Sequence, residues 1–219
     1  MTIPLLWLLV QASGLTVAIS AVSIAVGLAI DTVVSVAMLS RRRAVAVPAR
    51  GFVSFFRGVP LLVQLLLIYN LLPVLGINVP GVLAAVVGLS LCTAAYQAEN
   101  LRGGFAGVPR GLIEAADVVG LGQIRQFWRI RLPIAFKLTL PAIISEAIMI
   151  LKASSLVSVV GVVELTRMAQ DLASSTYEPL PMFATAGLLY LVIDGVIASA
   201  GTVLERRFRW GYGTRWGRQ

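Results

Sequence analysis

Histidine is absent from this 219-residue sequence, and cysteine occurs once, as Cys92. The first absence removes the commonest general base, the physiological-pH switch and the commonest metal ligand. The second excludes a disulfide framework and a Cys-rich metal site. Charge is also scarce: 13% of residues are Asp, Glu, Lys or Arg, and 58% are hydrophobic. Soluble domains carry about 25% charged and about 45–50% apolar residues. With a mean hydropathy of +0.89, the chain cannot cover a water-facing surface, and it reads as an integral membrane protein. It has no G-x-x-x-x-G-K-[ST] loop and so no phosphate cradle of that kind for ATP. No metal-ligand cluster and no nucleophile with a base is present, so the chain is expected to have no catalytic site, and no cofactor is expected in it.

What charge there is has a sign and a pattern. The net charge is +8, and Lys and Arg cluster between apolar runs, as they do on one side of a membrane. No basic residue precedes Arg41. A secretory signal needs a positive region before its apolar core, so the apolar N-terminus is expected to stay in the bilayer.

A helical span needs roughly 20 apolar residues. The sequence predicts a single transmembrane domain over 1–219, all-α, with five spans at about 14–38, 52–72, 82–101, 140–162 and 183–204. Residues 3–12 read as an interfacial stretch, because Gln11, Ser13 and Gly14 interrupt the first run. Arg57 falls near the start of the second span. Pro73, Gly76, Asn78, Pro80 and Gly81 make a short turn. Residues 102–138 read as a long polar loop, with Pro133 and Pro141 breaking the chain before the fourth span. The segments 40–51, 102–138 and the C-terminal tail hold nearly all the Lys and Arg, whereas 1–13, 73–81 and 163–182 hold only Arg167. The positive-inside rule then places the N-terminus outside and the C-terminus in the cytoplasm. Trp7, Trp210 and Trp216 read as interface aromatics.

The loop carries Glu114-Ala115-Ala116, three residues, Gly120-Leu121, then Ile130-x-Leu132-Pro133. Glu114 to Gly120 can form a short helix ended by glycine. At this spacing the stretch resembles the EAA loop of permease subunits of ATP-driven importers. Three further segments resemble polar amino acid importer permeases: Phe55-Phe56-Arg57-Gly58-Val59-Pro60-Leu61-Leu62-Val63-Gln64, Ala94 to Gly103, and Lys152-Ala153-Ser154-Ser155-Leu156. The resemblance covers nearly the whole chain. It implies a type I importer permease of the bacterial cytoplasmic (inner) membrane, moving a polar amino acid or similar solute inward. Its implied partners are two ATPase subunits that carry ATP and Mg, a second permease subunit, identical or homologous, and an extracytoplasmic solute-binding protein. Glu114, Ala115, Ala116, Gly120 and Leu121 would be the ATPase contact. One departure is Ala153, where the family usually has Asp; that bears on which solute is carried.

Ions at bilayer depth cost at least about 2.5–3.5 kcal/mol on insertion scales, so each should face a partner or a watery path. Glu146 and Lys152 are six residues apart, and at about 100° per residue they point in different directions. Glu146, Met149, Ile150 and Ala153 share a face that can front a pathway, with Glu146 receiving a substrate cation or else pairing with a base on another helix. Lys152 can anchor a carbonyl, an acid on a neighbouring span or the partner permease. Arg57 can bind a carboxylate bidentately or snorkel to the interface. Gln64, seven residues on, can line the same path. Ser154 can offer its hydroxyl to a ligand or bond back to the helix. Glu99 and Arg102 suit a local ion pair, Asp31 and Asp194 suit helix contacts, and Cys92 suits packing.

Two other function classes fit the composition. One is an ion-gradient-driven secondary transporter or channel using Asp31, Glu146 and Asp194, although such carriers often show an internal repeat and none is visible. The other is a membrane anchor for a cytosolic partner.

Overall fold

The computed structural model describes residues 3–209, and among these every regular element is a helix. Trp210 and Trp216 lie outside the described residues. In order, the elements are α1 (Ile3–Met38), α2 (Arg43–Gly58), α3 (Leu61–Val74), α4 (Gly81–Ala106), α5 (Arg110–Val118), the short α6 (Gln123–Gln126), α7 (Leu132–Ala153), α8 (Leu165–Thr176) and α9 (Pro179–Arg209). Four helical stretches are long and apolar enough to cross a membrane, or five if the bent pair α2–α3 forms one span.

Several expected boundaries change, each for a local reason. Residues 3–12 are not a separate interfacial stretch: α1 is continuous for 36 residues. Ser13 stays in the helix by donating its hydroxyl to the Val10 carbonyl at 2.7 Å, and the proline of the run, Pro4, lies in the first turn, where a helix tolerates it. The second span is not continuous over 52–72. It breaks at Val59–Pro60, with a 106° bend between α2 and α3. Pro60 has no N–H to donate and forces the residue before it out of the α region; Val59 is extended, at φ −93° and ψ 133°. Arg57 therefore ends an amphipathic helix instead of lying inside a span.

Residues 102–138 are mostly helical, not a loop. α4 runs on to Ala106, and from Gln123 the chain is helical without pause to Val160. Pro133 and Pro141 do not break it. Pro133 follows a π-helical turn at Phe127–Arg131, and the helix passes through this widened turn into α7 without ending. Pro141 is accommodated inside α7. At its other end α7 tightens into a 3₁₀ helix, Ser154–Val160, stopped by Gly161 at φ +80°. Polar residues 163–176 contain α8, and the last helix starts at Pro179, earlier than the expected 183.

α4 is the centre of the bundle. Buried residues make up 61% of its most apolar stretch, against 28% in α1 and 11% in α9. Between helices already in lipid there is little hydrophobic force, so close packing of small residues carries association. Gly27 of α1 meets α4 so closely that a methyl group there would lie 2.6 Å from Thr93. Gly104 of α4 meets α7 likewise, with the Ala135 carbonyl 2.7 Å from where a Cβ would be. Ile19, Leu65, Ala85, Leu89, Ile150 and Val157 then close the core from α1, α3, α4 and the α7 end. A second cluster, including Leu9, Leu165, Ala169 and Met182, fastens α8 between α1 and α9.

Candidate functional site

The first candidate site is the surface helix α5 and the turn after it. Val108 is buried with Leu101 and Ala135, which ties the start of α5 to α4 and α7. At its end the backbone closes by two bonds: Gly120 N–H donates to Asp117 O at 3.0 Å, and Leu121 N–H to Ala116 O at 2.9 Å. This pair is the Schellman arrangement, which needs a left-handed residue between them. Gly120 supplies it at φ +71°. The helix begins at Arg110, one turn before the expected Glu114. Gln126, buried, holds the turn from the far side by donating to the Asp117 carboxylate and to Leu121 O, the latter at 2.8 Å.

Ala116 is buried beneath α5, while Glu114, Ala115 and Gly120 are exposed. Beside them Val118 is 87% exposed, and Val119 and Ile124 each 77%. These apolar side chains around the turn are left uncovered by the rest of the described chain. Val118, Val119, Ile124 and Gln126 were not singled out in the sequence, although the Val-Val-Gly step before the turn was a visible signal.

The second candidate site is a half-open cavity of ≈ 360 Å³ between the α2–α3 bend, α4 and α7. The α2–α3 bend, Phe56 to Leu61, forms one wall; Cys92 and Tyr96 of α4 and Met149, Ile150 and Ala153 of α7 form the others. Tertiary structure thus brings together Arg57, Met149 and Ala153, which the sequence had placed on two separate spans. The Arg57 guanidinium lies over the Tyr96 ring, 5.2 Å from its centroid, a cation–π placement. Glu146, one turn of α7 before Met149 and Ile150, is buried, and its Oε1 has no hydrogen-bond partner. It is within electrostatic reach of Arg57 and Cys92.

Gln64 and Ser154 are placed differently. Gln64 is buried and donates its amide to Phe56 O at 2.8 Å and Val59 O at 2.7 Å, so it ties the end of α2 back across the bend. Ser154 is buried and donates to Leu151 O at 2.6 Å, bonding back to its own helix. Neither lines the cavity. Lys152 pairs with Asp194 of α9 at 3.4 Å, the acid on a neighbouring span. Glu99 pairs locally with Arg102, and the Asp31 carboxylate accepts from the Thr32 hydroxyl at 3.1 Å. Tyr96 and the Gly58-Val59-Pro60 bend were missed as wall elements.

Residues 23–210 match the family of binding-protein-dependent transport system inner membrane components. The chain belongs to this family. It is 37% identical over 201 residues to the nopaline transport system permease protein NocM of Agrobacterium fabrum, covering 87% of this chain and 83% of that protein. It is 35% identical to the arginine transport system permease protein ArtQ of Bacillus subtilis, covering 95% of each. It is 33% identical to the histidine/lysine/arginine/ornithine transport system permease protein HisM of Salmonella typhimurium, covering 93% of this chain and 86% of that one. Among solved structures, an amino acid ABC transporter superposes with a TM-score of 0.84 at 32% identity, covering 91% of this chain and 94% of that one. The methionine ABC transporter MetNI in an inward-facing form shares the fold, with a TM-score of 0.82 at 24% identity, covering 98% of this chain and 100% of that one. The protein is thus a multi-pass membrane permease with the type I importer fold. It is the permease component of an ABC transporter, and its relatives carry amino acids.

Proposed function

We propose that this permease imports a polar amino acid with a cationic side chain. Two ATPase subunits that bind ATP and Mg drive it, a second permease subunit completes the pathway, and an extracytoplasmic binding protein supplies the solute. The observation that carries the reading is the ≈ 360 Å³ cavity with Arg57 on its wall and the unpartnered buried carboxylate of Glu146 beside it. A zwitterion with an extra cation needs both signs of charge. In this scheme Arg57 takes the α-carboxylate, Glu146 takes the ammonium or guanidinium, and Met149 and Ala153 border the aliphatic stem. Gln64 and Ser154 support the wall by holding the bend and the end of α7. The names of the relatives, arginine and histidine/lysine/arginine/ornithine permeases among them, support a cationic solute.

Coupling runs through α5. Glu114, Ala115 and the exposed apolar edge of Val118 and Val119 enter a groove of the ATPase, while Ala116, Gly120 and Leu121 keep the helix and its turn in shape. ATP binding closes the ATPase pair and moves the two α5 helices together. Helix continuity from Gln123 to Val160 carries that motion to Met149 and Ala153, a rigid-body transmission. Here the α5 end faces the cytoplasm and the N-terminus lies outside.

The test is reconstitution of the permease with its ATPase and binding protein in vesicles, measuring uptake of labelled arginine against labelled glutamate. ATP-dependent arginine uptake that the binding protein stimulates is the expected outcome. Uptake without ATPase, or driven by a proton gradient alone, would overturn the reading in favour of a secondary transporter.

A further inference from the structure

α2 is a basic amphipathic helix with a regular stripe. Arg43, Arg50 and Arg57 recur every seven residues, which at about 100° per residue keeps them within about 20° of one line. All three are exposed; Ala46 and Val53, four residues before Arg50 and Arg57, lie next to the stripe and are buried, and Val53 and Ala49 pack with Met38 and Ala98. Arg50 and Arg57 of the stripe border a second cavity, ≈ 560 Å³, which meets the candidate solute site at Arg57. Its charged lining is Arg50 and Arg57 from α2 and Glu99 and Arg102 from α4, with Ser54 and Met38 between them. Three guanidiniums against one carboxylate leave two positive charges in excess. Glu99 is engaged by Arg102, and Arg50 and Arg57 form no ion pair among the described residues.

The position fits a membrane surface. Met38 ends α1, Arg102 lies near the end of α4, and Arg41 and Arg42 fill the turn into α2. α2 turns away from α3 by 106° and exposes Val47, at 62%, beside its arginines, and Phe55, at 50%, farther round the helix. An amphipathic helix with arginines beside exposed apolar side chains lies in the headgroup layer, and basic pockets between membrane helices hold anionic headgroups.

We infer that this cavity binds the phosphodiester headgroup of an anionic glycerophospholipid. Arg50 and Arg102 grip the phosphate, Arg102 through the N–H groups of its guanidinium that Glu99 does not take, and the exposed Val47, three residues before Arg50, contacts the acyl chains. Guanidinium groups match phosphate oxygens in paired hydrogen bonds. The excess positive charge discriminates against a zwitterionic lipid, whose own ammonium is repelled. The inference needs this end of the bundle to lie at a bilayer surface; it does not depend on the solute or on the direction of transport.

The experiment is native mass spectrometry of the full-length permease in detergent, titrated with phosphatidylglycerol or phosphatidylcholine. Retention of phosphatidylglycerol about tenfold tighter is the expected result. Arg50→Gln and Arg102→Gln should each weaken it about fivefold, as expected for one interfacial arginine, and the double variant should bind both lipids alike. Arg50→Lys, which keeps the charge, should retain most of the preference. Glycerol phosphate and inorganic phosphate should not displace the lipid, which separates a lipid site from a free-phosphate site. Equal retention of the two lipids by the wild type, displacement by free phosphate, or a preference that survives the double substitution would each overturn the inference. If the double variant does not fold, the two single variants and the wild-type comparison still decide it.

Discussion

Helices α5 and α8 are both short and amphipathic, and they lie at opposite ends of the bundle, one beyond the end of α4 and the other beyond the end of α7. Their surroundings differ. α8 is pinned at its start and along one face, where Leu165, Ala169, Leu172 and Ala173 are buried. Glu164, fully buried, accepts from Thr166 N–H at 2.9 Å, from Arg167 N–H at 2.8 Å and from Tyr190 O–H at 2.9 Å. Leu165 N–H donates to Thr16 Oγ1 of α1 at 3.1 Å, and burial raises the Glu164 carboxyl above its ordinary range. α5 has no side-chain cap at its start, a glycine turn at its end, and Val118, Val119 and Ile124 facing outward. One helix has its apolar and polar needs met inside the chain. The other leaves its apolar edge uncovered among the described residues, which is what the proposed ATPase contact uses.

The sharpest way to break that comparison is Glu164→Ala. It removes the cap from the Thr166 and Arg167 N–H groups and one of two partners from the Tyr190 hydroxyl, which keeps Thr166 Oγ1 at 3.1 Å, so a loss of roughly 2–3 kcal/mol is expected in a thermal melt of the purified chain. A variant as stable as the wild type would mean α8 is not the fixed member of the pair.

Next in size is Glu146→Gln, which probes the interior against both ends. Truncating one member of a desolvated charge pair costs at least about 2 kcal/mol, so KM for arginine should rise about thirtyfold while the melting temperature holds. An unchanged KM removes Glu146 from the solute path.

The smallest expected effect on the chain itself is Gly120→Val. A β-branched residue at φ +71° is strained by about 1–2 kcal/mol, released by local unwinding of an exposed turn. Stability should fall little, but co-purification of the ATPase and ATP-driven uptake should both fall by about tenfold. Loss of stability without loss of ATPase would make α5 a second structural helix like α8.

How much of this was legible in the sequence varies with range. The α5 turn was readable because its determinants are local: Ala116, Asp117, Gly120 and Leu121 complete the turn within six residues, and only glycine suits the left-handed position. The five-span count agrees with the larger count of membrane-crossing stretches. The expected breaks at Gln11–Gly14 and at Pro133 and Pro141 did not occur. Polar residues satisfied by their own helix and prolines after a widened turn or inside a long membrane helix do not stop a chain, whereas Pro60 did. The same proline took Arg57 out of the second span and put it on a cavity wall.

By itself the sequence determined the membrane class, the all-helical architecture, the distribution of positive charge and the glycine-closed surface helix, because hydropathy, charge count and turn chemistry act over a few neighbouring residues. Only tertiary structure decided that Arg57 meets Tyr96, that Lys152 meets Asp194, that Gln64 and Ser154 spend their donors on the backbone, and that Glu146 Oε1 is buried without a hydrogen-bond partner. Those outcomes depend on where a 106° bend and close contacts at Gly27 and Gly104 place one helix against another. No local pattern carries the relative position of helices separated by tens of residues.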